Sequence, residues 1–337
     1  MADRTDPDVR EAVVATVRRF VARDVIPVAS QLEHADEFPA DIVATMRELG
    51  LFGVTIPEEY GGLGLDLPTY VEIVEELAYG WMTLTGIVNT HTMAATLLMR
   101  HGNDEQKSRL LPSMATGEVR GAMSLSEPDA GSDTRNIACK AVRDGDVYVI
   151  SGTKAWVTNG ERAGIVALVA RTAEGVSTFV VEKEPGPAFE GITVSSHVGK
   201  LGYRGTETVE MSYVGHRVPA ANLVGDPGRG LAQILGVLEI GRINIASRAV
   251  GVARAAFDAA ITYSQERQTF GKPICEHQAI QMKLADMATK LEAARLLTRN
   301  AAERKAAGLR CDVEAGMAKL FASETALELA TEAMRIH

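Results

Sequence analysis

Four short segments of the chain carry residue types that could do chemistry. In the first, Met123-Ser124-Leu125-Ser126-Glu127-Pro128-Asp129-Ala130-Gly131-Ser132-Asp133, hydroxyls alternate along a strand that runs into a tight turn. Backbone N–H groups and hydroxyls at a strand end can hold a planar heterocycle with several acceptors, and an Asp-Ala-Gly-Ser turn can present N–H groups to an anion. In the second, Gly152-Thr153-Lys154-Ala155-Trp156-Val157-Thr158-Asn159-Gly160, Trp156 is one of only two tryptophans. Its ring could lie flat against a ligand ring while Thr158 donates a hydrogen bond. The third, Arg267-Gln268-Thr269-Phe270-Gly271-Lys272-Pro273 with His277-Gln278 following, offers an arginine suited to bidentate pyrophosphate contact. In the fourth, Glu239-Ile240-Gly241-Arg242, a glutamate and an arginine three apart share a helix face. Each has a plainer reading. These are, in turn, a polar strand before a β-turn, a core tryptophan before an Asn-Gly turn, a charged helix connection, and an exposed ion pair. Taken singly, the plainer reading is the better one for the first, third and fourth segments, and an equal one for the second.

The elements that must position these segments fall into three regions. Residues 1–120 read as mostly helical. Apolar residues recur at helical spacing from Val9 to Ile26, Phe38-Pro39 and Asp41 open a second helix, and Gly50 closes it as a C-cap. Further helices are expected from Leu67 to Tyr79, from Leu84 to Arg100, and from an Asn103 or Asp104 cap to near Gly117. Residues 121–227 change texture. Val147–Ile150, Ile165–Val169 and Ser177–Val181 are β-rich runs separated by Gly, Pro and Asp clusters, and the lack of long helical crossovers points to a mostly antiparallel β domain. Residues 228–337 return to helix, with long patterns over Gly230–Ser264, Gln278–Lys305 and Val313 to the last residue, as in a bundle. The third pattern is still helical at His337 and shows no stop signal, so the chain is expected to be the front part of a longer one.

Composition narrows the function classes. A formal net charge of −9 argues against general nucleic-acid binding, which needs a basic face, and disfavours a DNA-binding role. Cys139, Cys275 and Cys311 lie far apart with no Cys/His ligand spacing, so no metal site or disulfide is expected and a reducing cytoplasm is the simplest home. Charges stud residues 1–20, leaving no signal-peptide core, and no apolar run approaches the ~20 residues of a membrane helix. Asp144-Gly145-Asp146 reads as a hairpin turn, His197 and His216 as loop or surface histidines rather than catalytic groups, and Met282 and Met287 as core packing.

The order and spacing of the four segments decide more than any one of them. Together with Phe38-Pro39, Glu48-Leu49-Gly50-Leu51-Phe52-Gly53, Ile56-Pro57-Glu58-Glu59-Tyr60-Gly61-Gly62-Leu63-Gly64 and Arg217-Val218-Pro219, they make the whole chain resemble the acyl-CoA dehydrogenase family. The resemblance implies an α+β fold with a helical N-terminal domain (1–120), a β-barrel-like middle domain (121–227) and a C-terminal four-helix bundle (228–337) lacking its last part. It also implies FAD as cofactor and a homotetramer, or a heteromer with a related subunit. Met123, Ser124, Leu125, Ser126, Gly131 and Ser132 then match the strand and turn against the isoalloxazine ring, Ser132 also matching a CoA contact. Trp156, Val157 and Thr158 match the ring-stacking and flavin-bonding trio. Arg267, Thr269 and Phe270, with His277 and Gln278, match the part that reaches the FAD of a neighbouring subunit. Glu239, Ile240, Gly241 and Arg242 match the helix segment beside the adenosine and pantetheine of CoA. No GxGxxG fingerprint is present, which counts against a Rossmann dehydrogenase but not against FAD.

The implied reaction removes two hydrogens from the α and β carbons of an acyl-CoA thioester, giving the trans-2-enoyl-CoA, with electrons passed to an electron-transfer flavoprotein. It needs hydrogen bonds to the thioester carbonyl and a carboxylate base in a dry site. Most members carry that base on a Glu after the third bundle helix, and no such stretch occurs here. The base is therefore expected beyond His337, and the 337-residue form is expected to be inactive alone. A minority use the first bundle helix, where Gly241 stands here. Glu239 is two residues away, about 200° around the helix, and should face elsewhere. Tyr213-Val214-Gly215-His216 replaces an acidic element common in the family. Two other readings stay open: a flavin monooxygenase or oxidase of the same fold, and a baseless subunit acting only with a partner chain.

Overall fold

The computed structural model describes residues 4–337. In chain order the N-terminal helices are α1 (Pro7–Phe20), α2 (Ile26–Ala35), α3 (Ala40–Glu48), α4 (Leu67–Gly80), α5 (Met82–His101) and α6 (Asp104–Ala115). The strands β1 (Gly121–Ser124), β2 (Lys140–Asp144), β3 (Val147–Thr158), β4 (Ile165–Thr172), β5 (Gly175–Glu182), β6 (Ala188–Phe189), β7 (Ile192–Val194) and β8 (Thr208–Pro219) follow. Then come α7 (Gly230–Glu266), the short strands β9 (Gln268–Thr269) and β10 (Lys272–Pro273), α8 (Gln278–Ala306) and α9 (Asp312–Ile336). The expected helices are all present. Asn103 caps α6 in a reciprocal capping box with Gln106, and Gly50, at φ +70°, follows the end of α3. One departure lies between α1 and α2. Val21–Val25 forms a π turn just ahead of Pro27, which has no N–H to give to the preceding turn.

The chain divides into two compact units, one of Met1–Ser30, Leu65–Thr85 and Glu239–His337, the other of Gln31–Gly64 and Gly86–Leu238. In the first unit the core is built largely of alanine. Ala246, Ala249, Ala253 and Ala260 on α7, Ala294, Ala301 and Ala302 on α8, and Ala315, Ala318 and Ala322 on α9 are buried together. Small side chains let helix axes approach closely. Lys283 and Lys290 on α8 pair with Glu332 and Glu328 on α9, so these two helices run antiparallel. On α4, Glu75 and Glu76 meet Arg254 of α7, with Arg18 of α1 joining Glu76 and Arg295 of α8 joining Glu75. The other side of α9 is apolar yet open. Val313, Met317, Leu320, Leu327 and Met334 are 59%, 47%, 61%, 68% and 80% exposed, at the spacing of a coiled-coil seam. Met287 is buried as expected, but Met282 is 64% exposed, so it packs no core in this unit.

The second unit holds a curled sheet in the order β1-β4-β2-β3-β8-β7-β6, with β5 on β4. The sheet is mostly antiparallel, as expected, but it is mixed, with two parallel pairings. β1 runs parallel to β4, from Gly121↔Ile165 to Ser124↔Leu168, and β2 meets β4 in parallel at Lys140↔Arg171. The physical reason is that the β2–β3 hairpin intervenes between β1 and β4, giving the long connection that a parallel pair requires. β4 is buried on both faces, which explains its unbroken apolar run. Ile165, Ala167 and Val169 face a core with Leu97, Leu110 and Met114, while Val166, Leu168 and Ala170 face one with Ile150, Val157 and Met211. Asp144-Gly145-Asp146 is the hairpin turn read from sequence, with Asp144↔Val147 closing the ladder. His197 is exposed and bonds Glu161, but His216 is 6% exposed, its Nδ1 2.6 Å from the Glu190 carbonyl, so it is a buried structural residue. In the Gly-rich loop, a Cβ on Gly62 would sit 2.0 Å from the Ile56 carbonyl oxygen, a spacing only glycine allows.

Candidate functional site

Two of the four sequence segments meet in the second unit. β3 pairs with β8 until a bulge, where Ala155 and Trp156, between Lys154 and Val157, oppose the single residue Glu210, between Met211 and Val209. The extra residue throws Trp156 into the left-handed region, at φ +61°, and leaves its ring 65% exposed. A tryptophan in that backbone region costs about 1–3 kcal/mol, and such strain persists at ligand sites. Directly beside it, the Ala155 N–H donates to the Ser126 carbonyl at 2.8 Å, so the end of β1 and the bulge of β3 are stitched edge to edge. Met123, Leu125 and Ser126 are half-buried there, Ser124 and Val157 are buried, and Thr158 is half-buried. The hydroxyls of Ser126 and Thr158 make no hydrogen bond among the described residues, which leaves them available as donors beside an open aromatic face. Gly131 and Ser132 lie exposed on the turn that follows, where Glu127 and Ala130 close a two-way backbone bridge at 2.9 and 3.2 Å.

The surroundings hold this platform in ways the sequence segments did not disclose. Lys154 is 0% exposed and its Nζ donates to the Leu125 carbonyl and to Glu127 Oε1, both at 2.8 Å. Glu127 also accepts the N–H groups of Ala138 (2.6 Å) and Cys139 (3.0 Å). Burial alone would raise the Glu127 carboxyl, but the Lys154 ammonium and the two N–H donors hold it below its usual range, and it is ionised. Asn159, at φ +62°, turns the chain out of β3 and donates to the Ile87 carbonyl (2.9 Å) and Thr90 Oγ1 (2.8 Å) on α5. His91, also on α5, accepts the Gly121 N–H at 3.0 Å through Nδ1, anchoring the start of β1. Burial, aided by Arg120, pushes its pKa down to about 4, so it stays neutral. A signal for Lys154 was available. It shares strand parity with Tyr148 and Ile150, the inward side of β3.

The other two segments lie in the first unit. Glu239, Ile240, Gly241 and Arg242 sit on α7, with Ile240 and Gly241 buried. The Glu239 carboxylate is bonded by Lys305, and the Cys311 thiol lies 3.6 Å from it, so it is committed to the corner between α8 and α9. Arg242 is half-buried and makes no ion pair among the described residues. At the other end of α7, Arg267 is exposed, and Phe270, at φ +54°, is 97% exposed on the β9–β10 turn. Thr269 Oγ1 and His277 Nε2 lie 2.9 Å apart, and exposed Gln278 opens α8. A fully exposed phenyl in strained backbone serves no core of this unit. Among the described residues no group of three or more His, Cys, Asp or Glu could hold a metal, and no helix is long and apolar enough to cross a membrane.

Comparison with known proteins matches all three parts of the chain to one family. Residues 7–118 match the acyl-CoA dehydrogenase N-terminal domain, 122–214 the middle domain, and 228–337 the C-terminal domain. An acyl-CoA dehydrogenase of Bacillus subtilis is 39% identical over 95% of this chain and 85% of its own length. The mitochondrial short-chain specific acyl-CoA dehydrogenase of Bos taurus is 40% identical over 98% of this chain and 81% of its own. Among solved structures, butyryl-CoA dehydrogenase of Megasphaera elsdenii superposes with a TM-score of 0.94 at 32% identity, covering 99% of this chain and 89% of that one. A chain from work on the electron transferring flavoprotein of Acidaminococcus fermentans gives a TM-score of 0.93 at 35% identity, over 99% and 88%. A glutaryl-CoA dehydrogenase of Mycobacterium smegmatis in complex with FADH2 gives 0.92 at 29%, over 98% and 84%. The expectation that the 337-residue form is inactive finds no support here, because the matches reach all three domains.

Proposed function

The chain belongs to the acyl-CoA dehydrogenase family, an FAD-dependent family of oxidoreductases acting on acyl-CoA, and on that footing we propose that it removes two hydrogens from an acyl-CoA thioester to give the trans-2-enoyl-CoA. The observation that carries the reading is the platform at the β3 bulge, where an exposed Trp156 in strained backbone stands beside the unbonded hydroxyls of Ser126 and Thr158. These residues suit a flat, acceptor-rich ring. Trp156 offers a face, Ser126 and Thr158 offer donors, and the backbone from Met123 to Leu125, with Val157, forms the adjoining wall. When bound, FAD supplies the two-electron acceptor that the chain itself lacks.

The remaining roles are part of the same proposal. Arg242, half-buried and unpaired, is a cation fit for the anionic part of CoA, beside Ile240 and Gly241. Ser132, on the exposed turn, adds a hydroxyl for contact with CoA. Arg267, Thr269, Phe270, His277 and Gln278 reach the FAD of a neighbouring subunit. That role accounts for an exposed Arg and a 97% exposed Phe whose ring meets only the edge-on His277 ring among the described aromatic contacts. A homotetramer fits the apolar seam on α9, and the division into 1–120, 121–227 and 228–337 belongs to this reading. So does passage of electrons to an electron-transfer flavoprotein. Loss of the α proton requires a donor at the thioester carbonyl and a carboxylate in a dry site. Glu239 is not offered as that base, since Lys305 holds its carboxylate.

The test is product analysis. The purified protein, loaded with FAD and given an artificial electron acceptor, is incubated with straight, branched and aromatic acyl-CoAs. The reading predicts a product two mass units lighter that co-elutes with the trans-2-enoyl-CoA. A hydroxylated product would place the chain with the monooxygenases of this fold instead, and stoichiometric hydrogen peroxide in air with its oxidases.

A further inference from the structure

The buried pair Lys154–Glu127 ties together the two segments that form the ligand platform, with both side chains turned away from solvent. Lys154 is wholly buried and Glu127 is 6% exposed. Three bonds cross from Lys154 and Ala155 of β3 to the three residues Leu125, Ser126 and Glu127 that follow β1. They are Lys154 Nζ to the Leu125 carbonyl, Lys154 Nζ to Glu127 Oε1, and the Ala155 N–H to the Ser126 carbonyl, each 2.8 Å. The same carboxylate then reaches on to the N–H groups of Ala138 and Cys139, so it also fixes the chain that leaves the platform's turn. The bulge that exposes Trp156 begins at Lys154 itself.

A buried ion pair is weak evidence for stability, because desolvation offsets most of the attraction. What it supplies well is a defined geometry, since either partner left alone would be an uncompensated charge. Here the geometry it defines is narrow. It sets the offset between the Leu125–Glu127 backbone and the Trp156 bulge, which are the two walls of the platform. Hydrophobic side chains of similar volume would fill the space but would not choose that offset.

We propose that Lys154, through Leu125 and Glu127, is a positioning residue for the flavin ring. This rests on the function proposed above. It predicts that the pair matters more for how FAD is held than for whether the middle domain folds. The experiment compares the wild-type chain with Lys154→Met, Glu127→Gln and the double variant. FAD affinity is read by titration of the apoprotein, the ring environment by visible circular dichroism of bound FAD, and folding by far-ultraviolet circular dichroism. The double variant removes both charges and is the one expected to fold with a wild-type spectrum. Its FAD affinity is expected to fall about tenfold, with a changed visible band, and the two single variants should couple rather than add. A folded double variant with wild-type affinity and visible band overturns the proposal. So does a double variant that fails to fold, because the pair then holds the domain rather than the platform. If the wild-type chain itself binds no FAD, the function proposed above fails, and the proposal for Lys154 fails with it.

Discussion

Replacing Arg254 by Met should destabilise the first unit by a predictable amount and remove part of its acid sensitivity. Arg254 Nη1 lies 2.9 Å from Glu75 Oε1 and 3.1 Å from Glu76 Oε1, Nη2 lies 2.7 Å from Glu76 Oε2, and the guanidinium sits 4.5 Å from the Tyr79 ring centre. Glu76 is 4% exposed, and without Arg254 it keeps only Arg18, which is 63% exposed. Breaking a fully buried pair costs about 3–5 kcal/mol. Arg254 is 19% exposed and Arg18 remains, so about 2–3 kcal/mol is the appropriate figure here. For a unit of this size each kcal/mol moves Tm by about 2–4 °C, so the expected loss is about 4–12 °C. The pH dependence follows from Glu76. Burial would raise its carboxyl, but the hydrogen bonds and charges of Arg254 and Arg18 outweigh this, and its folded pKa lies below the unfolded one. The stabilisation is thus complete above the unfolded pKa of about 4.3 and is lost as pH falls through the folded value. Thermal unfolding followed by circular dichroism from pH 7 downward should show the wild-type and Arg254→Met curves converging in acid. A Tm change under about 2 °C at pH 7, or a gap that stays constant with falling pH, would refute the reasoning.

Three further outcomes can be checked directly. Trp156→Ala should weaken FAD binding about tenfold or more while shifting Tm by less than about 2 °C, because the ring is 65% exposed; affinity titration and thermal unfolding read the two effects separately. Gly86→Ala should cost more than about 2 kcal/mol, since the added Cβ would lie 1.3 Å from the Tyr203 hydroxyl, and a denaturant midpoint close to wild type would show that Tyr203 swings aside freely. If the proposed homotetramer uses the α9 seam, charged residues at Leu320 and Leu327, 61% and 68% exposed there, should lower the sedimentation coefficient, and an unchanged value would contradict that use of the seam.

Much of the fold was legible in the sequence because its helices announce themselves. Asn103 with Gln106, Gly50 after Glu48, and the long alanine-rich patterns each mark a boundary or a packed face by local rules. The sheet was less legible. β8 is hidden in the sequence because its outward face is polar at Glu210 and Ser212 and its run is interrupted at Gly215, so its alternation shows only once β3 lies beside it. The parallel register of β1 on β4 is a tertiary choice that no local spacing encodes. The candidate site divides in the same way. Trp156 stood out by rarity and by its place before Asn-Gly, yet its exposure depends on a bulge that pairing with β8 creates. Lys154 and Glu127 are 27 positions apart and find each other only through the fold. The sequence around His216 looks like loop or surface because its neighbours are glycine and a charged residue, whereas in the fold Phe189 and Tyr213 pack around it.

The central claim is tested most directly by an anaerobic visible spectrum of the FAD-loaded protein, titrated with a panel of acyl-CoAs. The account predicts an oxidised flavin band that bleaches with at least one thioester and recovers when an electron acceptor is added. A flavin that binds but never bleaches with any thioester, or a chain that takes up no flavin, would contradict it.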